Sequence, residues 1–340
     1  MKYGKFLKDS GTIGFVAPSF GASIEPYKSR FDNALKVFSD MGYKVKTGPN
    51  CYAGEGIGIS NTPQNCAEEL NEYYLAKDND VLMAVGGGEL MCEILEYVDF
   101  EAFAKAEPKW YMGYSDNTNM TYLLTTLADT ASIYGPCAAT FGMRKWHKAI
   151  QDSFDVLSGK MTTVSGYDMW ELEGFDSELD PIAEYNLTEK KILRRFPDSD
   201  TAFSGRLLGG CIDCLVTLLG TKFDKTKEFC EKYKNDGIIW FIEACDLNVF
   251  SIRRAIWQMK MAGWFSYVKG FIVGRPRIYG EDMIGLDQYK AITDLLSEYD
   301  VPIVMDVDLG HLPPAMPLIC GSMAEVTVKG NDITVDMKLI

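Results

Sequence analysis

Between Thr12 and Pro136, short apolar runs alternate with longer runs of helical period, and that alternation leaves few folds open to the chain. TIGFVA (12–17), YKVKTG (43–48), DVLMAVGGG (80–88), KWYMGY (109–114) and ASIYGP (131–136) have the length of strands. Between them, residues 27–41, 63–77, 90–98 and 118–129 space their apolar side chains as helices do. Strands separated by helices pair in parallel, because only a crossover of a dozen or more residues lets the next strand run the same way. The predicted fold class is therefore α/β, a parallel sheet with helices on both faces. Ligands of such sheets bind beyond the carboxyl ends of the strands. Pro18-Ser19, Gly86-Gly87-Gly88 and Gly113-Tyr114-Ser115 all fall on that edge.

From about residue 150 to 205 the periodicity weakens and the sequence turns acidic and aromatic. This stretch is predicted as a connector and a candidate substrate-facing loop, since long loops are often functional. A second α/β unit follows, with helices predicted at 207–219, 247–262 and 287–298 and strands at 237–244, 267–274 and 302–308. AEVTVKGNDITVDM then reads as a terminal hairpin. The predicted domains are 1–165, a connector over 166–205, and a smaller β/α domain over 206–340.

Charge narrows the partners. The chain carries 34 Lys and Arg against 48 Asp and Glu over 340 residues, a formal net charge of −14, with no basic run. Such a chain repels nucleic acid polymers and anionic membrane surfaces, so small molecules or peptides are the expected partners. The first residues, MKYGKFLKDSGTIGFVAPSF, lack the apolar core of a signal peptide, and no run approaches the roughly 20 residues of a membrane span. A cytoplasmic protein is expected. The nine cysteines are irregularly spaced, as in a chain that does not rely on disulfides. Cys211 and Cys214 form a C-x-x-C inside LLGGCIDCLVTLLG, where i and i+3 share one helical face. No second pair exists to complete a zinc site, so these two read as core residues, and no metal or cofactor is expected. Gly86-Gly87-Gly88 does not continue into G-x-G-x-x-G, because residue 91 is Met, so no dinucleotide is expected either.

Three polar residues stand at the ends of apolar runs. Ser115 follows WYMGY, Glu243 ends GIIWFIE, and His311 follows PIVMDVDLG. Each has a bland explanation alone: a helix cap, a paired carboxylate, a surface histidine. Together they supply the nucleophile, orienting acid and base that acyl transfer needs, because serine is a weak nucleophile until a positioned base takes its proton. Gly87 and the N–H of Asp116 are the candidate oxyanion donors. His147, the only other histidine, lies in the basic stretch FGMRKWHKAI and reads as a surface residue.

The stretches TIGFVAPS, MAVGGGE, WYMGYSDNT, YGP, GRLLGGCIDCL, WFIEACD, KGFIVGRP and VDLGH, in this order, resemble the LD-carboxypeptidases, serine peptidases of murein recycling among which the microcin-C immunity proteins also fall. The resemblance implies a flavodoxin-like or glutamine-amidotransferase-like N-terminal domain carrying the serine. It also implies a small swivelling β/α C-terminal domain carrying the acid and base, and usually a homodimer. It matches Ser115 to the nucleophile, Glu243 to the acid, His311 to the base, and Gly87 and Asp116 to the oxyanion hole. It makes the L,D bond of a murein tetrapeptide the leading substrate. GGGE at the glycine stretch, Cys211 and a long connector with Trp170 look closer to the immunity-like branch. The alternative substrate is therefore a microcin-C-like peptidyl or aminoacyl nucleotide, with Trp170 stacking on its base. A non-catalytic small-ligand binder is the remaining alternative. Arg144, Arg206, Arg275 and Arg277 are candidates for holding a substrate carboxylate, Arg206 among the named substrate-binding residues.

Overall fold

A computed structural model describes residues 1–175 and 179–340. The chain forms two compact units, Met1–Met161 with Glu173–Asn186, and Thr162–Leu172 with Leu187–Ile340.

The first unit holds β1 (Thr12–Val16), α1 (Tyr27–Asp40), β2 (Lys44–Thr47), α2 (Pro63–Leu75), β3 (Val81–Ala84), α3 (Phe100–Lys105), β4 (Tyr111–Gly113), α4 (Thr118–Ala128), β5 (Ser132–Tyr134) and α5 (Lys148–Leu157). Its strands lie in the order β5-β4-β3-β1-β2, all parallel. β3 is buried along its whole length, which is why its sequence, VLMA, does not alternate. α2 starts where the sequence says it should: Thr62 accepts from the Asn65 N–H, and Pro63 occupies the first turn. The helix expected over 90–98 is instead a 3₁₀ turn at Met91–Tyr97. So short a run gains little from α-helix propagation, and its first N–H, that of Met91, is held from outside by Asp116 Oδ2 at 2.9 Å.

The carboxyl edge of β1 and β2 is braced by a buried acid. Glu69, on α2, accepts the Ala17 N–H at Oε2 and the Asn50 N–H at Oε1, both at 2.8 Å. Burial is the main influence on this carboxyl and lifts its pKa from 4.5 to about 7, against the backbone donors that pull it down. Gly48 must be glycine beside it, since a Cβ there would overlap the Glu69 carboxylate.

The second unit holds β6 (Thr163–Ser165), β7 (Met169–Trp170), β8 (Glu189–Lys190), β9 (Arg194–Phe196), β10 (Thr201–Cys211), α6 (Ile212–Leu218), α7 (Thr226–Lys232), β11 (Ile238–Glu243), α8 (Val249–Met261) and β12 (Val268–Gly274). A small hairpin, β13 (Asp282–Met283) and β14 (Leu286–Asp287), follows, then α9 (Gln288–Leu296), β15 (Ile303–Val307), β16 (Leu318–Cys320), β17 (Met323–Lys329) and β18 (Asp332–Lys338). The main sheet has the order β6-β18-β17-β10-β11-β12-β15-β9, with β10, β11, β12 and β15 parallel.

Residues 207–211 are strand, not the start of the helix expected over 207–219. Leu207–Cys211 is buried and pairs along its whole length with β11, and a run apolar on both faces carries no period that distinguishes strand from helix. Gly209, at φ +156, has no room for a side chain, because a Cβ would collide with the Phe241 carbonyl. The stretch expected as a connector supplies β7, β8, β9 and the start of β10, while Glu173–Asn186 packs with the first unit. There the Ile182 carbonyl accepts the Arg144 N–H at 2.8 Å. No helix among the described residues is long and apolar enough to cross a membrane.

The raised Glu69 carboxyl has a signed consequence. The folded state favours its neutral form, so its contribution is present below pH 4.5 and is lost as pH rises through about 7. Over that window the unfolding free energy should fall by about 3 kcal/mol from this group alone. Denaturant titrations of wild type and Glu69→Gln at pH 4.5, 6 and 8 check this: the variant's stability should be the flatter of the two.

Candidate active site

Ser115 sits one residue past Tyr114 at the carboxyl end of β4, at φ +63. A left-handed backbone is unusual for a residue with a side chain and marks a strained turn. Its backbone N–H donates to Tyr134 Oη at 3.3 Å. The glycine stretch meets it closely: a Cβ on Gly87 would lie 3.1 Å from Ser115 Oγ. Gly87 and Ser115, expected to share an edge, are therefore neighbours with little room for a side chain between them.

Two neighbours hold this turn, and sequence reasoning missed what their side chains do. Asn117 Nδ2 donates to the Gly86 carbonyl at 2.7 Å, and its Oδ1 accepts from Tyr111 Oη at 2.5 Å. Asn117 is thus the clamp joining the serine turn to the glycine loop. Asp116 is buried, and its Oδ2 accepts from Ser19 Oγ at 2.5 Å as well as from the Met91 N–H. Its Oδ1 accepts from Asn119 Nδ2 at 3.1 Å. Its side chain fixes three segments while its backbone N–H stands at the start of the turn into α4. A run of good capping residues, Asp-Asn-Thr, was the only signal of this in the sequence.

In the second unit Glu243 ends β11 and is 1% exposed. Its Oε2 meets His311 Nδ1 at 2.8 Å. Gly310, at φ +98, makes the approach possible, since a Cβ there would sit 2.7 Å from that same oxygen. Burial pulls the imidazole pKa down, but the Glu243 charge and hydrogen bonds to Cys245 and Glu243 more than reverse it. The net value lies well above the ordinary 6.5. The loop after Glu243 is held by Asp213, which accepts the Cys245 N–H at 3.0 Å and the Asp246 N–H at 2.9 Å.

The first unit thus holds a strained serine beside a glycine loop, the second a buried acid–histidine pair, and comparison with known proteins gives the chain a family. The model of the LD-carboxypeptidase N-terminal domain matches residues 13–135, and that of the C-terminal domain matches residues 204–326. The chain belongs to the LD-carboxypeptidase family. It is by family a serine peptidase-type hydrolase. It is 26% identical to the microcin C7 self-immunity protein MccF of Escherichia coli over 95% of this chain and 92% of that one. It is 23% identical to the "Probable murein peptide carboxypeptidase" of Bacillus subtilis (strain 168), over 94% and 90% of the two chains. The solved structure of MccF in complex with aspartyl sulfamoyl adenosine superposes with a TM-score of 0.81 at 20% identity, covering 98% of each chain. The mixed α/β, two-domain architecture is that of the MccF-like structures.

In this member of the family the expected substrate-binding residues are engaged within the fold. Arg206 lies at the start of β11's register, opposite Ile238, five residues before the Cys211–Glu243 end. It is 4% exposed, and its Nη2 and Nη1 bond Asp236 Oδ2 and the Gly321 carbonyl, both at 2.6 Å. It forms an ion pair with Asp236 at the part of β10 opposite the start of β11, away from the Cys211–Glu243 end. Trp170 does lie at that edge, since the neighbouring Glu171 N–H donates to the Pro313 carbonyl at 2.8 Å. But it is 5% exposed, with the Arg275 guanidinium 4.7 Å from its ring centroid and Tyr279 against its edge. Its indole is packed against these two neighbours. The other arginines are also engaged: Arg144 with Asp180, Arg275 with the buried Asp308, Arg277 with Asp246. His147 caps α5, its Nδ1 accepting the Ala149 N–H at 3.1 Å.

Two outcomes are expected. NMR titration of the two histidines should place His311 above 6.5, and Glu243→Gln should lower it, because burial is then opposed only by the weaker influence of Cys245. An unchanged His311 titration would contradict the pairing. Asn117→Ala leaves the Gly86 carbonyl and Tyr111 hydroxyl without their partner, so urea unfolding should show a loss of about 1–3 kcal/mol.

Proposed function

We propose that Ser115 is the nucleophile of this hydrolase, His311 its base, and Glu243 the acid that orients and charges the imidazole. The observation that carries the reading is the buried contact of Glu243 Oε2 with His311 Nδ1 at 2.8 Å. An acid on Nδ1 fixes the tautomer whose Nε2 takes the serine proton, and it stabilises the imidazolium that results. Ser115 Oγ attacks the substrate carbonyl, and the oxyanion is met by the N–H groups of Gly87 and Asp116. The imidazolium then gives its proton to the leaving amine. Water, activated by the same histidine, releases the acyl group from the serine. Because the base must be neutral, turnover rises with pH through a value above 6.5.

The substrate is a small peptide conjugate cleaved at an amide-type bond. An aminoacyl or peptidyl nucleotide is the first candidate, supported by the likeness to the E. coli immunity protein along nearly the whole of both chains and by the ligand of its solved complex. A murein tetrapeptide cut at its L,D bond is the second, supported by the B. subtilis relative.

Mass spectrometry of products from an aminoacyl sulfamoyl adenosine and a murein tetrapeptide, incubated with wild type and Ser115→Ala, tests both levels. Wild type should cleave one of the two, and the variant should lose about 10⁴-fold or more in kcat while keeping its circular dichroism. Turnover by Ser115→Ala at the wild-type rate would end the triad assignment. Cleavage of the murein peptide alone would reverse the order of the substrates.

A further inference from the structure

We propose that Cys211 and Cys214 are a reversible dithiol–disulfide couple seated against Glu243, and that closing it slows hydrolysis. The first half rests on the thiols alone; the second rests on the hydrolase reading above.

Cys211 is the last residue of β10 and the residue that precedes α6, and Cys214 lies in the first turn of that helix. Residues three apart on a helix share a face, and here the two thiols are in hydrogen-bond contact. Their exposures differ in a useful way. Cys211 is 1% exposed, whereas Cys214 is partly open to solvent. An outside reagent therefore reaches Cys214 first, and Cys211 is the thiol positioned to resolve the product. This turn is a strand-to-helix C-x-x-C, the arrangement in which neighbouring cysteines exchange between dithiol and disulfide.

The couple has a route to the acid–histidine pair. Cys211 stands opposite Glu243 in the parallel register of β10 and β11. Its Sγ donates to Asp213 Oδ2 at 3.4 Å, and Asp213 is the carboxylate that holds the Cys245 and Asp246 N–H groups just past Glu243. A disulfide has no S–H to donate. Closing the couple ends that bond and re-sets the turn carrying Asp213, which lies between the two cysteines.

The oxidant is a small-molecule disulfide. The Cys214 thiolate attacks one of its sulfurs, the reagent's S–S bond breaks, and one thiol leaves with a proton. The Cys211 thiolate then attacks Cys214 Sγ, the Cys211–Cys214 bond forms, and the second thiol leaves with the second proton. Two electrons pass from the cysteines to the reagent. The contact with Cys214, burial and the Glu243 charge all raise the Cys211 thiol well above its ordinary value, so the resolving thiolate is scarce. Closure is therefore slow and gains about tenfold per pH unit.

The test equilibrates the full chain with glutathione buffers running from fully reduced to oxidised glutathione alone, blocks remaining thiols with N-ethylmaleimide, and maps the peptide containing both cysteines by mass. The expected result is loss of two hydrogens from that peptide, reversal by dithiothreitol, and a rate that climbs with pH. Activity should fall about 3- to 10-fold in step with closure, as for the loss of one weak S–H hydrogen bond. Cys214→Ser should show neither change. A peptide still alkylated at both cysteines in oxidised glutathione alone overturns the couple. A closed disulfide with unchanged turnover overturns its link to Glu243. The mass readout needs no substrate, so failure of the couple and failure of the hydrolase reading are told apart.

Discussion

A carboxylate can be buried only where donors replace the water it loses, and both units of this protein use that constraint to fix their loops. Asp116 is the centre of it in the first unit. Its carboxylate gathers a hydroxyl from the loop after β1, an N–H from the loop after β3 and an amide from α4. Glu69 does the same for the loops after β1 and β2. Asp213 repeats the device in the second unit, holding two consecutive N–H groups. Asp308 repeats it again, accepting from the Tyr167 N–H and the buried Arg275. The carboxyl edges are thus organised by acceptors that each serve two or three donors. Such contacts set direction as well as proximity, which apolar packing does not.

That organisation explains why the catalytic candidates were legible in the sequence while their surroundings were not. Ser115, Glu243 and His311 announce themselves because each is a polar residue at the tip of an apolar strand. Asp116 and Asn117 look like ordinary helix caps, since nothing in a linear sequence says that a side chain reaches a loop 25 or 31 residues away. The strands and helices of the first unit were readable for the same local reason, a clean alternation of period. The failures came where that signal vanishes. Leu207–Cys211 is apolar on both faces of a central strand, and Met91–Tyr97 is too short for its period to decide between helix types.

Trp170 and Arg206 mark a second limit. Both were attractive as ligand contacts because an aromatic ring or a guanidinium is chemically suited to one. Suitability says nothing of availability. Arg206 is spent on Asp236 and a carbonyl, and Trp170 on Arg275 and Tyr279. In a chain with 48 acidic residues against 34 basic ones, an arginine has many internal claimants, and all four candidates found one.

Gly310 carries no functional group, yet the space where its side chain would be is occupied by the Glu243 carboxylate. The contact between acid and histidine is therefore defined by a missing methyl as much as by the two residues that make it. In evolutionary terms this gives the chain a silent point of failure. A single replacement at residue 310 would leave every chemically reactive side chain in the sequence and still part the pair.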